Sequence, residues 1–186
     1  VPQFARTNQQ LDWLEAVLSG SKKIAGLEVD QDLRWELLTG LVIGDRAGEA
    51  EIAKELERDN TANGQKFAAA CRAAIPTEAA KQAAWHTLTE TEDYSNTLVN
   101  SASLAFGRVN DLALLKPFAD KYHEVALKIW NSRTYHIAAY LLTNLYPVQL
   151  ANQELADKTK ALIEKSEIKE KPALRRILVE NLAGLE

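Results

Sequence analysis

The stretch PFADKYHEVALKIWNSRTYHIAAYLLTNLYP, Pro117 to Pro147, decides the fold of this chain. Its apolar residues Phe118, Tyr122, Val125, Ala126 and Ile129 recur three and four apart, so they line one stripe of a helix. Asn131 and Ser132 interrupt the run, and the Ser132 hydroxyl is placed to cap a second helix by accepting an orphan backbone N–H. Ile137, Ala138, Leu141, Leu142 and Leu145 make the second stripe, and Pro147 ends it because proline lacks the N–H a helix interior needs. Two helices joined by so short a turn fold back on each other and bury their facing stripes. The rest of the chain reads as repetitions of that hairpin.

Outward from this hairpin, toward the N-terminus, Asn110 is placed to cap Asp111-Leu112, and Pro117 restarts the helix where a first turn tolerates proline. Ser95 or Asn96 opens a helix that ends near Phe106-Gly107. Thr77 caps a helix through Trp85 and Leu88, and Thr61 caps one that Ile75-Pro76 closes. Ala47 to Arg58 is amphipathic, with Ile52 and Leu56 as its buried residues and its charges in solvent. Asp30 caps a helix running to Ile43, in which Gly40 costs about 1 kcal/mol relative to alanine and points to a close neighbour. Asn8 caps the first helix, which Gly20 ends. Toward the C-terminus, Asn152 caps a helix to about Lys165, and Lys171 to Leu182 makes the last.

Composition agrees with a sheet-free chain. Of 186 residues, 46% are hydrophobic and 26% charged, with only 8 Gly and 5 Pro. The fold class is all-α: an irregular α-α superhelix of antiparallel helix hairpins, a HEAT-like array of about ten helices. A compact bundle is the structural alternative. No strict repeat period appears, which sets the chain apart from tetratricopeptide and ankyrin arrays.

A net charge of −4 argues against nucleic acid as the main partner, since phosphate binding needs a basic surface. No apolar run approaches the ~18 residues of a membrane span, and no signal peptide is visible, so no membrane partner and a cytoplasmic location are expected. The lone cysteine, Cys71, lies in a small-residue run and reads as a buried thiol. The chain has no methionine and starts Val1-Pro2-Gln3, which is expected of an excerpt from a longer polypeptide.

Catalytic patterns are missing. His123-Glu124 opens like the zinc motif H-E-x-x-H, but the second histidine would fall at Leu127. A lone histidine cannot hold a catalytic zinc without further protein ligands. His86 and His136 join no such spacing, and neither G-x-S-x-G nor a glycine-rich phosphate loop occurs. Glu49 with Glu51, and Glu90 with Glu92, read as solvated helix ends. The lysines and arginines from Lys158 to Arg176 alternate with carboxylates and read as helix surface. No catalytic, cofactor-binding or metal-ligating residue is therefore assigned.

Several landmarks, in order, carry a family resemblance. Val29-Asp30-Gln31-Asp32-Leu33-Arg34-Trp35-Glu36-Leu37-Leu38 is followed by Ala68-Ala69-Ala70-Cys71-Arg72-Ala73-Ala74-Ile75-Pro76. Ser95-Asn96, Phe106-Gly107, Ile129-Trp130, Arg133 and Pro172-Ala173-Leu174-Arg175-Arg176 come after. Together they resemble the C-terminal helical domain of aminopeptidase N of the actinobacterial type, and of the endoplasmic-reticulum aminopeptidases. The resemblance implies that residues 1–186 form a single helical C-terminal domain whose parent removes N-terminal residues from peptides. It also implies that zinc, H-E-x-x-H and G-x-M-E-N sit in an absent catalytic domain. The implied partners are that domain and the peptide substrate. The implied role is to cap the active site and shape the substrate chamber, with Arg34, Asn96 and Arg133 as candidates for its concave face. Each of the three reads alternatively as an ion pair, cap or packing contact. The alternative function is a stand-alone helical-repeat scaffold that binds a protein or peptide in its groove.

Overall fold

The computed structural model describes residues 2–185. Its helices are α1 (Asn8–Ser19), α2 (Gln31–Ile43), α3 (Glu49–Arg58), α4 (Ala62–Ala74), α5 (Glu78–Glu90) and α6 (Asn96–Phe106). After them come α7 (Lys116–Ser132), α8 (Tyr135–Asn144), α9 (Gln153–Ile163), α10 (Ser166–Lys169) and α11 (Pro172–Ala183). Short 3₁₀ turns lie at Pro2–Phe4, Leu112–Leu115 and Val148–Leu150, and no strand occurs among the described residues.

Alternate helices up to α8 pack in one row, which α11 continues. α2 meets α4, α4 meets α6, α6 meets α8, and α8 meets α11, while α3, α5, α7 and α9 flank this row. That is the superhelical stack of hairpins expected from the amphipathic pattern. The most extensive packing, however, is α4 on α6 rather than α7 on α8. Ala68, Ala69, Cys71, Ala73 and Ala74 on α4, and Ala102 and Ala105 on α6, are all buried. Side chains that small let two backbones approach closely, and no stripe of large residues signals it. One hydrophobic core runs the length of the stack from Trp35 to Leu178, and a smaller cluster of Ala5, Leu11, Leu14, Val17, Leu37 and Leu41 closes the N-terminal end.

Local chemistry explains most boundaries. Asp30, Thr61, Thr77, Ser95 and Asn152 each occupy an N-cap and accept a backbone N–H with the side chain. Pro117 sits in the first turn of α7 and Pro172 in that of α11. Gly20 ends α1 at φ +80°, a left-handed conformation that favours glycine. Gly40 has the close neighbour its position requires. A Cβ there would lie 2.6 Å from the Pro2 carbonyl oxygen and 2.9 Å from Leu14 Cδ1.

Four caps differ from the sequence reading. Thr7, not Asn8, caps α1, because Thr7 and Gln10 exchange hydrogen bonds as a capping box at 3.2 and 3.1 Å. Ser132 is the last residue of α7, since its hydroxyl donates 2.8 Å to the Lys128 carbonyl of the preceding turn, and Thr134 takes the N-cap of α8. Asn110 donates to the Ile43 carbonyl at 3.4 Å, so Asp111 caps the 3₁₀ turn that follows. The α3 helix begins at Glu49 rather than Ala47, with Glu51 reaching back 2.8 Å to the Gly48 N–H. Its charges are also not all in solvent: Glu55 is buried and Leu56 only half-buried.

Candidate functional site

The three residues proposed for a concave face lie at separate places. Arg34, in the second turn of α2, grips Glu55 of α3 with two hydrogen bonds, Nε to Oε1 at 2.7 Å and Nη2 to Oε2 at 2.6 Å. Its third donor reaches the Leu18 carbonyl at 3.2 Å, so one guanidinium ties α1, α2 and α3 together. The Arg34 hydrogen bond holds the Glu55 carboxylate below its ordinary pKa, against an opposing effect of burial. Gln31 adds a hydrogen bond to the same carboxylate at 3.1 Å.

Arg133 occupies the turn between α7 and α8. It donates to the Thr91 carbonyl at the end of α5 and lies 3.6 Å from Glu92. Asn96, at the first position of α6, is exposed, and its side chain makes no hydrogen bond to another described residue. Arg133 thus reaches the segment between α5 and α6, while Arg34 braces α1, α2 and α3. Two of the three are bracing contacts in this fold; Asn96 alone is free of one.

Other polar groups in the interior are also bound to neighbours. Lys81 of α5 is wholly buried, and its Nζ donates to the Ala73 carbonyl at 2.6 Å and the Phe106 carbonyl at 2.7 Å. Those carbonyls belong to the last turns of α4 and α6, where the chain lacks intrahelical donors and the helix dipole is negative. Burial pushes the Lys81 ammonium down to about 7. Nothing in the sequence reading singled out Lys81, yet its spacing to Trp85 and Leu88 places it on the buried stripe of α5.

His123 has both ring nitrogens engaged, Nδ1 with the Ala119 carbonyl at 2.8 Å and Nε2 with Thr159 Oγ1 at 3.0 Å. Burial lowers its pKa. Tyr122 donates to the Leu142 carbonyl at 2.7 Å, and Asn181 donates to the same carbonyl at 2.8 Å, linking α7, α8 and α11. Cys71 is fully buried beside Thr39, 3.2 Å from its hydroxyl, and burial pushes the thiol up to about 11. A thiol so raised is a packing group, not a nucleophile.

Among the described residues, no group of three His, Cys, Asp or Glu side chains could hold a metal ion. The described residues therefore offer no ligand set for a zinc centre. Glu49 is exposed and pairs with Arg72 at 2.7 Å, and Lys158 with Asp120 at 2.5 Å, which accounts for those surface charges without a site. No helix of the described residues is long and apolar enough to cross a membrane.

With this geometry in view, similarity to known proteins becomes informative. A family model described as ERAP1-like C-terminal domain matches residues 4–186. Aminopeptidase N of Streptomyces lividans is 38% identical over 182 residues, which cover 98% of this chain and 21% of that protein. The chain thus spans about a fifth of the length of its curated relative. It belongs to the ERAP1-like C-terminal domain family and corresponds to a domain of an aminopeptidase N-type polypeptide.

Proposed function

We propose that this chain is the non-catalytic C-terminal domain of a zinc aminopeptidase, acting with a catalytic domain of the same polypeptide on the N-termini of peptides. In this reading the zinc and the bond-breaking groups reside in that other domain. The helical array caps the active site, limits access and shapes the substrate chamber, and the whole enzyme is cytoplasmic. The observation that carries the reading is the alignment of 98% of this chain with only 21% of an aminopeptidase N. A helical stack whose described residues include no group able to hold a metal ion supports a wall rather than a chemical role.

Of the three chamber candidates, Asn96 gives the cleanest test, because Arg34 and Arg133 also brace the fold. Asn96→Ala in the parent enzyme should shift the preferred peptide length while leaving thermal stability unchanged. Hydrolysis rates over a ladder of peptides of increasing length measure this. An unchanged length profile removes Asn96 from the chamber. If Arg34→Ala and Arg133→Ala leave the profile unchanged too, the chamber role of this face fails.

A further inference from the structure

Asn63-Gly64 is the one place in the chain where glycine follows asparagine. That dipeptide is the most prone to lose its side-chain amide, because glycine has no side chain to shield its own backbone nitrogen. The fold itself requires the glycine. Gly64 is buried in the first turn of α4, and a Cβ there would fall 1.9 Å from the Asp59 carbonyl oxygen and 2.8 Å from Asp59 Oδ2. Packing thus keeps a labile pair at the entrance of the helix that makes the most extensive contact of the stack.

Both groups that would react are restrained. The Gly64 N–H, whose nitrogen is the nucleophile of amide loss, donates to Thr61 Oγ1 at 3.1 Å. Thr61 in turn donates to Asp59 Oδ1 at 2.7 Å, and Asp59 Oδ2 accepts from the indole N–H of the fully buried Trp35 at 2.8 Å. A chain of hydrogen bonds therefore anchors the cap of α4 to the core. The Asn63 amide, whose nitrogen is the leaving group, donates to Asp32 Oδ1 at 2.8 Å and ties the first turn of α4 to that of α2. Asn63 is only half-buried, so water reaches it. A first turn is also where a helix opens most readily, since its N–H groups depend on caps.

We infer that Asn63 is a spontaneous modification site gated by opening of the Thr61 cap, and that its conversion releases α4 from α2. With the turn open, the Gly64 nitrogen loses its proton to solvent and attacks Asn63 Cγ. The N–Cγ bond forms, the Cγ–Nδ2 bond breaks, and Nδ2 leaves as ammonia with a proton from water. Water then opens the cyclic imide. Cleavage of the new N–Cγ bond gives aspartate, and cleavage at the main-chain carbonyl carbon gives isoaspartate, with Cβ inserted into the backbone. No electrons are gained or lost. Aspartate at this position sets a second carboxylate against Asp32 where an amide donor stood, and like charges so close repel. Isoaspartate breaks the spacing of the first turn.

Peptide mapping by mass spectrometry of the native full-length polypeptide, incubated at neutral pH, tests this, with Asn131-Ser132 as the reference site. Asn63 should convert many-fold more slowly than in the urea-unfolded chain. Thr61→Ala should speed its conversion by roughly 2- to 30-fold, the factor that loss of a cap contributes, and leave Asn131 unchanged. Asn152→Ala removes an equivalent cap, that of α9, and should leave the Asn63 rate unchanged. An Asn63 rate insensitive to Thr61→Ala overturns the gate, and equal acceleration by Asn152→Ala overturns it in favour of global unfolding. Asn63→Asp should lower the melting temperature, and Asp32→Asn added to it should restore most of the loss. An Asn63→Asp variant as stable as wild type overturns the release of α4 from α2.

Discussion

Replacing Lys81 with methionine isolates the buried ammonium that ties α4 to α6. The wild-type side chain is wholly buried, and two carbonyls at helix C-termini are its hydrogen-bond partners. Burial sets its folded pKa at about 7, while the unfolded residue keeps its proton to the ordinary value of 10.5. Between these values the unfolded chain binds more protons than the folded one, so stability rises with pH, by up to tenfold in the folding equilibrium per pH unit. Over the whole window the gain is at most ~5 kcal/mol, and the two carbonyls, which favour the charged form, reduce it. Lys81→Met abolishes this slope and leaves two buried carbonyls without a donor, at about 1–3 kcal/mol each. Urea unfolding followed by circular dichroism at several pH values from 7 to 9 measures both effects. The variant should be less stable at pH 9, with the deficit shrinking toward pH 7 as the wild type comes to bear the cost of a buried charge. Using the difference between the two proteins cancels the titration of Cys71 and the tyrosines. A deficit that does not change with pH refutes the buried-ammonium account. A variant as stable as wild type at pH 9 refutes the role of the carbonyl contacts.

Gly64→Ala should destabilise the fold by about 1–3 kcal/mol or more, because the new Cβ would fall 1.9 Å from the Asp59 backbone carbonyl oxygen; a melting temperature equal to wild type contradicts this. Glu55→Gln removes the carboxylate that Arg34 holds and should cost about 1.5–3 kcal/mol at neutral pH, the usual worth of hydrogen bonds to a charged group. Because the folded Glu55 pKa is depressed, its contribution is present above the unfolded value and lost as pH falls through the folded one. The variant should therefore show a flatter loss of stability in acid than wild type. An identical acid limb shows that the Arg34–Glu55 pair contributes nothing measurable.

Much of the array was legible because caps and stripes are local. Asp30, Thr61, Thr77, Ser95 and Asn152 announce their helices, and the stripe from Phe118 to Ile129 announces α7. What escaped depends on partners distant in sequence. The α4–α6 contact is made by alanines, which carry little hydrophobic pattern. The buried Lys81 and Glu55 are charged residues on apolar stripes, and only their partners on other helices explain their burial. Ser132 could have capped or back-bonded; competition between the Lys128 carbonyl at i−4 and a forward N–H decided, and sequence does not display that balance. The candidate chamber residues show the same limit. Arg34 and Arg133 were open to either a chamber role or an ion-pair, cap or packing contact, and only the structure supplies the carboxylate and carbonyl partners that make the contacts specific. Family membership, by contrast, was readable from the ordered landmarks between Val29 and Arg176.

The most direct measurement is the size and activity of the native polypeptide that carries this sequence, by immunoblot and intact mass from source cells. The account predicts a species several times the 20.7 kDa of this chain that contains zinc and cleaves alanyl or leucyl amides. A native product near 20.7 kDa with no attached peptidase domain contradicts it and leaves a stand-alone helical scaffold.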